Sequence, residues 1–369
     1  MEEKFKKINL IHIIYTLDTG GLEKLVLELC RRIDNSRVKQ FVCCLTNEGE
    51  LTSSFTCAGI KVFCLGKKEG LCYLLPLRIA KLCRSKKTDI VHTHDGTANL
   101  YGAFGAKFAG VKKIYNTEHG RICYDTWRKK SFNKILARFN TKMVCVSQKI
   151  KSDLIVMGVP EQKLLVIPNG IDLELYKATF DSNIKRTSLG LKPGNFVICS
   201  VGRLSIEKNH LLLIEAAKNI ILRIPETKIL IVGDGPLRII LEAKIKELNL
   251  HDYVFLLGTR NDIPEILAAS DCFVSTSNFE SFGLAILEAM AAGVPVVATA
   301  VGGVPELVKP EITGTLVQPV NPVSISEAVC GIRNNPAFAK TTSLNAKKMV
   351  DEKYSIETMI RSYENLYLQ

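Results

Sequence analysis

Short apolar runs rich in β-branched residues alternate with longer amphipathic patterns along the whole chain, and this alternation is what most limits its fold. In the first half the strand-like runs cover 9–16, 40–45, 61–65, 89–92, 113–116, 143–146 and 164–167. Helical periodicity lies between them, clearest over 22–33, 74–86, 131–140 and 148–157. Near-continuous apolar strands separated by helices indicate a parallel sheet covered on both faces. The pattern then restarts, with strands over 196–201, 228–232, 253–257, 272–275, 294–299 and 315–317 and helices over 210–223, 237–248, 263–269 and 282–292. At 369 residues the chain exceeds the usual size of one core. The reading is α/β, with two doubly wound parallel-sheet domains, 1–175 and 176–355. The turn chemistry of Pro168-Asn169-Gly170 and the polar stretch up to Pro193-Gly194 mark the break. A last helix, 356–369, is a candidate to pack back on the first domain.

Open parallel sheets bind ligands beyond the carboxyl ends of their strands, so residues just after each strand carry the functional expectation. Gly20 and Gly21 follow the first strand and precede a helix; they allow a close backbone approach to an anion, though a plain tight turn explains them as well. Arg203 and Lys208 follow strand 196–201. A fork and a point charge five residues apart suit a diphosphate, while a solvated loop is the other reading. Gly233-Asp234-Gly235-Pro236 reads as a turn feeding a helix. Arg260 sits in a loop placed to contact a base.

The richest segment is 278–288, Asn-Phe-Glu-Ser-Phe-Gly-Leu-Ala-Ile-Leu-Glu. Phe282, Gly283 and Leu284 are expected in the first helical turn, with unpaired N–H groups that a pyrophosphate can cap. Glu288 would lie roughly 6–9 Å further along the axis, within reach of a ribose. Glu280, before the cap, could accept from sugar hydroxyls. An acid amid Ala285, Ile286, Leu287, Ala289 and Met290 needs a partner.

This segment resembles the Glu-x7-Glu motif of the retaining glycosyltransferases of family 4, which have the GT-B fold of two Rossmann-like domains facing across a cleft. Thr19-Gly20-Gly21-Leu22-Glu23 is similar to the family's N-terminal glycine loop, and Asn116-Thr117-Glu118-His119-Gly120 to its His-Gly segment. Further matches are 166–172, Val201-Gly202-Arg203-Leu204 with Lys208, and 293–298 followed by Gly302-Gly303-Val304-Pro305-Glu306. The likeness spans most of the chain in order, and its second half is the more specific. It implies that Arg203 and Lys208 stabilise the leaving diphosphate, that Glu288 holds the ribose, and that Glu280 orients the donor sugar. It also implies that His119 positions sugar and acceptor, that Gly20 and Gly21 admit phosphate groups, and that Arg260 lines the base pocket. The donor is a substrate and no separate cofactor is implied. No Asp-x-Asp metal motif occurs, which agrees with the metal-independent chemistry the resemblance implies.

Charge adds a second theme. The net charge is +12, and residues 1–180 hold 30 Lys/Arg against 17 Asp/Glu while the remainder holds 19 against 20. A basic first half suggests an anionic partner: a membrane surface, nucleic acid or a phosphate-bearing acceptor. Arg128-Lys129-Lys130 leads into an amphipathic pattern with Phe132, Ile135, Leu136 and Phe139, and 74–82 has a similar character. Either helix can rest on anionic lipid or simply show a solvated basic face. No run reaches the roughly 20 apolar residues of a spanning helix, and the N-terminus lacks a small-residue cleavage site. The 12 cysteines form no Cys-x-x-Cys pair and read as buried thiols. The expected place is the cytoplasm, peripherally at the inner face of the cell membrane. The expected function is transfer of a sugar from a nucleotide-diphosphate sugar to a glycan or lipid-linked acceptor in polysaccharide or glycolipid synthesis. An epimerase or hydrolase of the same fold is the nearest alternative. A nucleotide-cofactor oxidoreductase lacks its Gly-x-Gly-x-x-Gly turn, and a nucleic-acid binder lacks any recognised module.

Overall fold

A computed structural model of the chain describes residues 7–18, 20–120, 134–177 and 180–369. It divides into two compact units, residues 1–169 with 359–369, and residues 170–358.

The first unit is a seven-stranded parallel sheet of β1 (Ile8–Ile14), β2 (Val38–Cys44), β3 (Lys61–Cys64), β4 (Ile90–His94), β5 (Lys113–Glu118), β6 (Lys142–Cys145) and β7 (Leu164–Val166). Its order is β3-β2-β1-β4-β5-β6-β7. Successive residues of β1 point to opposite faces, so Ile11 and Ile13 pack with Phe41, Ile79 and Ala103. Ile14 packs on the other side with Val26, Val42 and Phe55. Both faces are thus covered, which is why the strands read as unbroken apolar runs.

The second unit is a six-stranded parallel sheet of β8 (Phe196–Val201), β9 (Thr227–Val232), β10 (Val254–Leu256), β11 (Cys272–Ser275), β12 (Val296–Thr299) and β13 (Thr315–Val317). The order is β10-β9-β8-β11-β12-β13. Its core joins Ile198, Leu213, Ile229, Val274 and Val297 with helices His210–Arg223 and Pro322–Asn334. In each sheet the strand order reverses once, between β1 and β4 and between β8 and β11. The loops leaving those strands are where such sheets hold ligands.

Several elements differ from the sequence expectation. Helix Gly96–Ala109 was not expected, because GTANLYGAFGAKFA is small and apolar all round and has no polar face to set a period. Helices Pro322–Asn334 and Pro336–Lys353 were also missed; Asn321 and Asn335 cap them through their side chains, and proline occupies the first turn of each. β4 runs two residues past its expected end, to His94.

The last helix, Ile356–Leu368, places Tyr363 and Tyr367 in the interior of the first unit from Met359 onward. There the hydroxyl of Tyr115 donates to the carbonyl of Leu366 at 3.0 Å. Residues 128–132 of the expected basic helix lie outside the described residues. Among the described residues no helix is long and apolar enough to cross a membrane.

Candidate active site

At the switch point of the second sheet, two loops are sewn together. The N–H of Asn278 donates to the carbonyl of Glu207 at 2.8 Å. Asn278 Nδ2 donates to the carbonyl of Ile206 at 2.9 Å, and Asn209 Nδ2 reaches Asn278 Oδ1 at 3.0 Å. Thr276 Oγ1 donates to the carbonyl of Asn209 at 2.9 Å. These bonds fix the loop after β8 against the loop after β11, so residues 72 apart in sequence meet. Lys208 Nζ lies 2.6 Å from Glu280 Oε2, which also accepts from Ser277 Oγ at 3.2 Å. Arg203 stands exposed on the same loop; its carbonyl accepts the N–H of Ser205 at 2.8 Å, and its guanidinium makes no hydrogen bond or ion pair among the described residues.

Glu280 is braced from behind. Its carbonyl accepts the N–H of Gly303 at 2.8 Å. A Cβ on Gly302, whose φ is +54°, would fall 1.8 Å from that same oxygen. The Gly302-Gly303 pair therefore serves the close approach of two backbones and holds the Glu280 loop in place.

The helix of this segment begins later than expected. It runs Leu284–Ala291, with Gly283 as the cap at φ 105°. That left-handed conformation cannot belong to a helical turn, so Phe282 and Gly283 precede the helix. The orphan N–H groups of the first turn are those of Leu284, Ala285 and Ile286. Phe282 is buried with its ring 5.7 Å from that of Tyr354. Glu288 is half-buried, and the hydroxyl of Tyr176 hydrogen-bonds to it. Burial and the neighbouring Glu288 carboxylate push that phenol well above its ordinary range. Tyr176 is the partner that an acid in so apolar a helix needs. It lies outside every motif, so no spacing pointed to it.

Arg260 is placed apart from this cluster. Its guanidinium forks onto Asp262 at 2.8 and 2.6 Å. Asp262 also pairs with Lys185, and the two cations hold its carboxyl far below the usual range. The loop of Arg260 is tied to the one after β9 by the Gly233 N–H, which donates to the carbonyl of Gly258 at 2.8 Å. Gly233-Asp234-Gly235 is a turn leading into helix Arg238–Glu247.

In the first unit, Gly20 caps helix Gly21–Arg32; Thr19 lies outside the described residues. His119 and Gly120 follow β5, and both backbone N–H groups donate to Asp95 Oδ1, at 2.8 and 3.1 Å. Asp95 adopts φ 70° and ψ 167°, a sparsely populated conformation for an L-residue that these bonds pay for. Asp95 also helps to raise the carboxyls of Glu118 and Glu23 above their ordinary values, with burial the larger cause in both.

Behind His119 lie three more histidines, all buried: His12 on β1 and His92 and His94 on β4. The ring nitrogens of these three approach within 4.8 Å of one another. Both nitrogens of His92 already hold partners, the Tyr367 hydroxyl at 2.5 Å and Thr117 Oγ1 at 2.7 Å. A buried tyrosine hydroxyl donates to the one acceptor it meets. His92 thus has no lone pair left for a cation, and hydrogen bonding describes the group better than metal ligation does. The sequence offered one signal for this group. His-x-His on a strand puts both rings on one face, but the expected strand stopped at His92.

Residues 19–175 match the model described as Glycosyltransferase Family 4, and residues 181–349 match Glycosyl transferases group 1. The chain is 34% identical over 304 residues to the UDP-Gal:alpha-D-GlcNAc-diphosphoundecaprenol alpha-1,3-galactosyltransferase of Escherichia coli, covering 79% of this chain and 78% of that enzyme. It is 26% identical over 299 residues to the N-acetyl-alpha-D-glucosaminyl L-malate synthase of Bacillus anthracis, covering 79% and 78%. The crystal structure of Anabaena HepE in complex with UDP and glucose matches with a TM-score of 0.87 over 97% of this chain and 99% of that one. Their 24% identity speaks to the shared fold alone. Two Rossmann-like parallel sheets, both family models in order and a relative matched over most of its length establish the chain as a glycosyltransferase of family 4, with the GT-B fold and a nucleotide-sugar donor.

Proposed function

We propose that this enzyme is a retaining, metal-independent hexosyltransferase that uses a UDP-sugar and a glycan or lipid-linked acceptor, in cell-surface polysaccharide or glycolipid synthesis. The observation that carries the reading is the stitching of the loop after β8 to the loop after β11. It brings Lys208 against Glu280, just before helix Leu284–Ala291, at the switch point of the second sheet, and Arg203 lies on the same loop as Lys208. The uridine donor and the lipid-diphosphate class of acceptor are suggested by the Escherichia coli relative.

Each group then has a task. Arg203 forks onto the diphosphate and Lys208 neutralises charge that grows on it as the glycosidic bond breaks. Glu280 holds Lys208 in place beforehand, so little reorganisation is needed at the moment of transfer. The orphan N–H groups of the helix face the same anion. Glu288, braced by Tyr176, accepts from the ribose hydroxyls. Gly20 and Gly21 admit phosphate groups in the first unit, and Arg260, oriented by Asp262, borders the base. The anomeric carbon exchanges its bond to the diphosphate oxygen for one to the acceptor oxygen on the same face. The acceptor's proton passes to the departing diphosphate, and His119 orients a substrate hydroxyl.

The membrane-surface part rests on an exposed apolar edge. Leu71, Tyr73, Leu74 and Leu77 are exposed, Tyr73 by 85%, and Lys67, Lys68, Arg78 and Lys81 stand among them. Such a mixed strip suits anionic lipid. Turnover of a UDP-hexose panel, with and without an N-acetylglucosaminyl-diphosphoprenol acceptor, tests the reaction. Transfer with retained anomeric configuration is expected, and no turnover or binding of any UDP-sugar would sink it. Flotation with anionic liposomes at low salt tests the surface.

A further inference from the structure

The histidines behind His119 form a chain whose hydrogen-bond direction is fixed from one end. At that end Gln40 Nε2 donates to the backbone carbonyl of Cys30 at 2.9 Å. A carbonyl only accepts, so the amide cannot be flipped, and Gln40 Oε1 faces His12 Nε2 at 3.3 Å. That oxygen must accept, so His12 carries its proton on Nε2. A neutral imidazole has one N–H and one lone pair. His12 therefore offers a lone pair at Nδ1, where His94 Nε2 lies 3.1 Å away. His94 in turn donates from Nε2 and accepts at Nδ1, 3.3 Å from His119 Nε2. The last proton of the chain is on Nε2 of His119, and Nδ1 keeps the lone pair. No described residue hydrogen-bonds that Nδ1.

Directionality depends on neutrality, because an imidazolium donates from both nitrogens and would meet a donor at its next neighbour. Burial supplies it. It lowers His12 to about 4 and His94 well below the usual value. His119 is lowered as well, against a smaller opposing pull from Asp95. His92 stands outside the chain, since Tyr367 and Thr117 hold both its nitrogens.

We propose that Gln40, His12 and His94 are positioning residues that fix the tautomer of His119, so that Nδ1 is the edge offered to a substrate hydroxyl. The use of that edge rests on the functional reading above, whereas the tautomer is a property of the chain without substrate. Asp95 completes the arrangement by pinning the backbone of His119 and Gly120.

Long-range nitrogen–proton correlation spectra of the full chain, labelled with nitrogen-15 at histidine, read the tautomers directly. There are 6 histidines, and His119→Gln identifies the signals of His119 by their loss. His12, His94 and His119 are each expected neutral with the proton on Nε2. Gln40→Met removes the terminal acceptor and frees His12 to move its proton to Nδ1. The signals of His119, two imidazoles away, should then shift toward the Nδ1-protonated form, while those of His210 and His251 stay put. A wild-type His119 protonated on Nδ1 overturns the proposal, and so does an unchanged tautomer in folded Gln40→Met. If Gln40→Met does not fold, the wild-type spectrum decides alone. Expected tautomers without any sugar transfer would support the relay and count against the functional reading only.

Discussion

The two units share a strand order around the switch point and gather polar side chains near it, yet those groups are of opposite kinds. In the first unit they are buried, or half-buried in the case of His119, neutral and linked in one direction, from Gln40 through His12 and His94 to His119. In the second they are charged and partly solvated, as Lys208, Glu280 and the exposed Arg203 are. Charge is expensive to bury, so those groups sit on loops, and the proposed grip on a diphosphate would use that charge. Orienting a hydroxyl needs a lone pair in one fixed place, which burial provides by keeping imidazole neutral. One scaffold thus supports two electrostatic regimes, chosen by how far each group lies from water.

The comparison can be broken at either end. Lys208→Ala is expected to have the largest effect, lowering kcat about a hundred- to a thousand-fold, as loss of a charge-stabilising donor does. Steady-state kinetics check it, and unchanged kcat would remove Lys208 from the chemistry.

Acid should strike the buried histidines next. His12 and His210 are both lowered from 6.5 to about 4 by burial. The unfolded chain takes up their protons near pH 6.5 and the folded chain does so only near 4. Stability is therefore full above pH 6.5 and falls as pH drops toward 4, by on the order of 3 kcal/mol for each such group. The first unit holds three of these buried rings, His12, His92 and His94, and His210 belongs to the second. Hydrogen exchange at stepped pH should show the first unit opening first. Simultaneous opening would contradict the contrast.

Gly302→Ala should cost about 2 kcal/mol, because its Cβ would meet the Glu280 carbonyl at 1.8 Å. It should also weaken turnover by displacing Glu280, and thermal melts with kinetics read both effects. Tyr176→Phe is the mildest, removing one hydrogen bond to Glu288 and raising the donor KM by the equivalent of about 1 kcal/mol, with kcat kept.

The contrast also explains what the sequence could and could not show. Strands β8, β11 and β13 were legible to the residue, since a strand buried on both faces writes an unbroken apolar run. The charged residues Arg203, Lys208, Glu280 and Glu288 could be read from their spacing after strands, and the structure brings Lys208 against Glu280. The start of the helix was misplaced by two residues, because Gly283 in a left-handed conformation caps it, and backbone sign leaves no trace in hydrophobic period. The imidazole chain was mostly hidden. His12, His94 and Gln40 are far apart in sequence and meet only through strand pairing, and a histidine inside an apolar strand reads as core. Tyr176 was equally invisible, since it comes from a short helix with no motif around it.

We propose that the charged loops of the second unit hold the diphosphate, while the imidazole of the first orients a hydroxyl. Calorimetric titration of UDP into the wild type and three variants tests it most directly. Arg203→Ala and Glu288→Ala are predicted to weaken UDP binding about tenfold or more, a loss of at least ~1.4 kcal/mol each, while His119→Gln leaves Kd unchanged. Wild-type affinity in both of the first two, or an equal loss in His119→Gln, would contradict it.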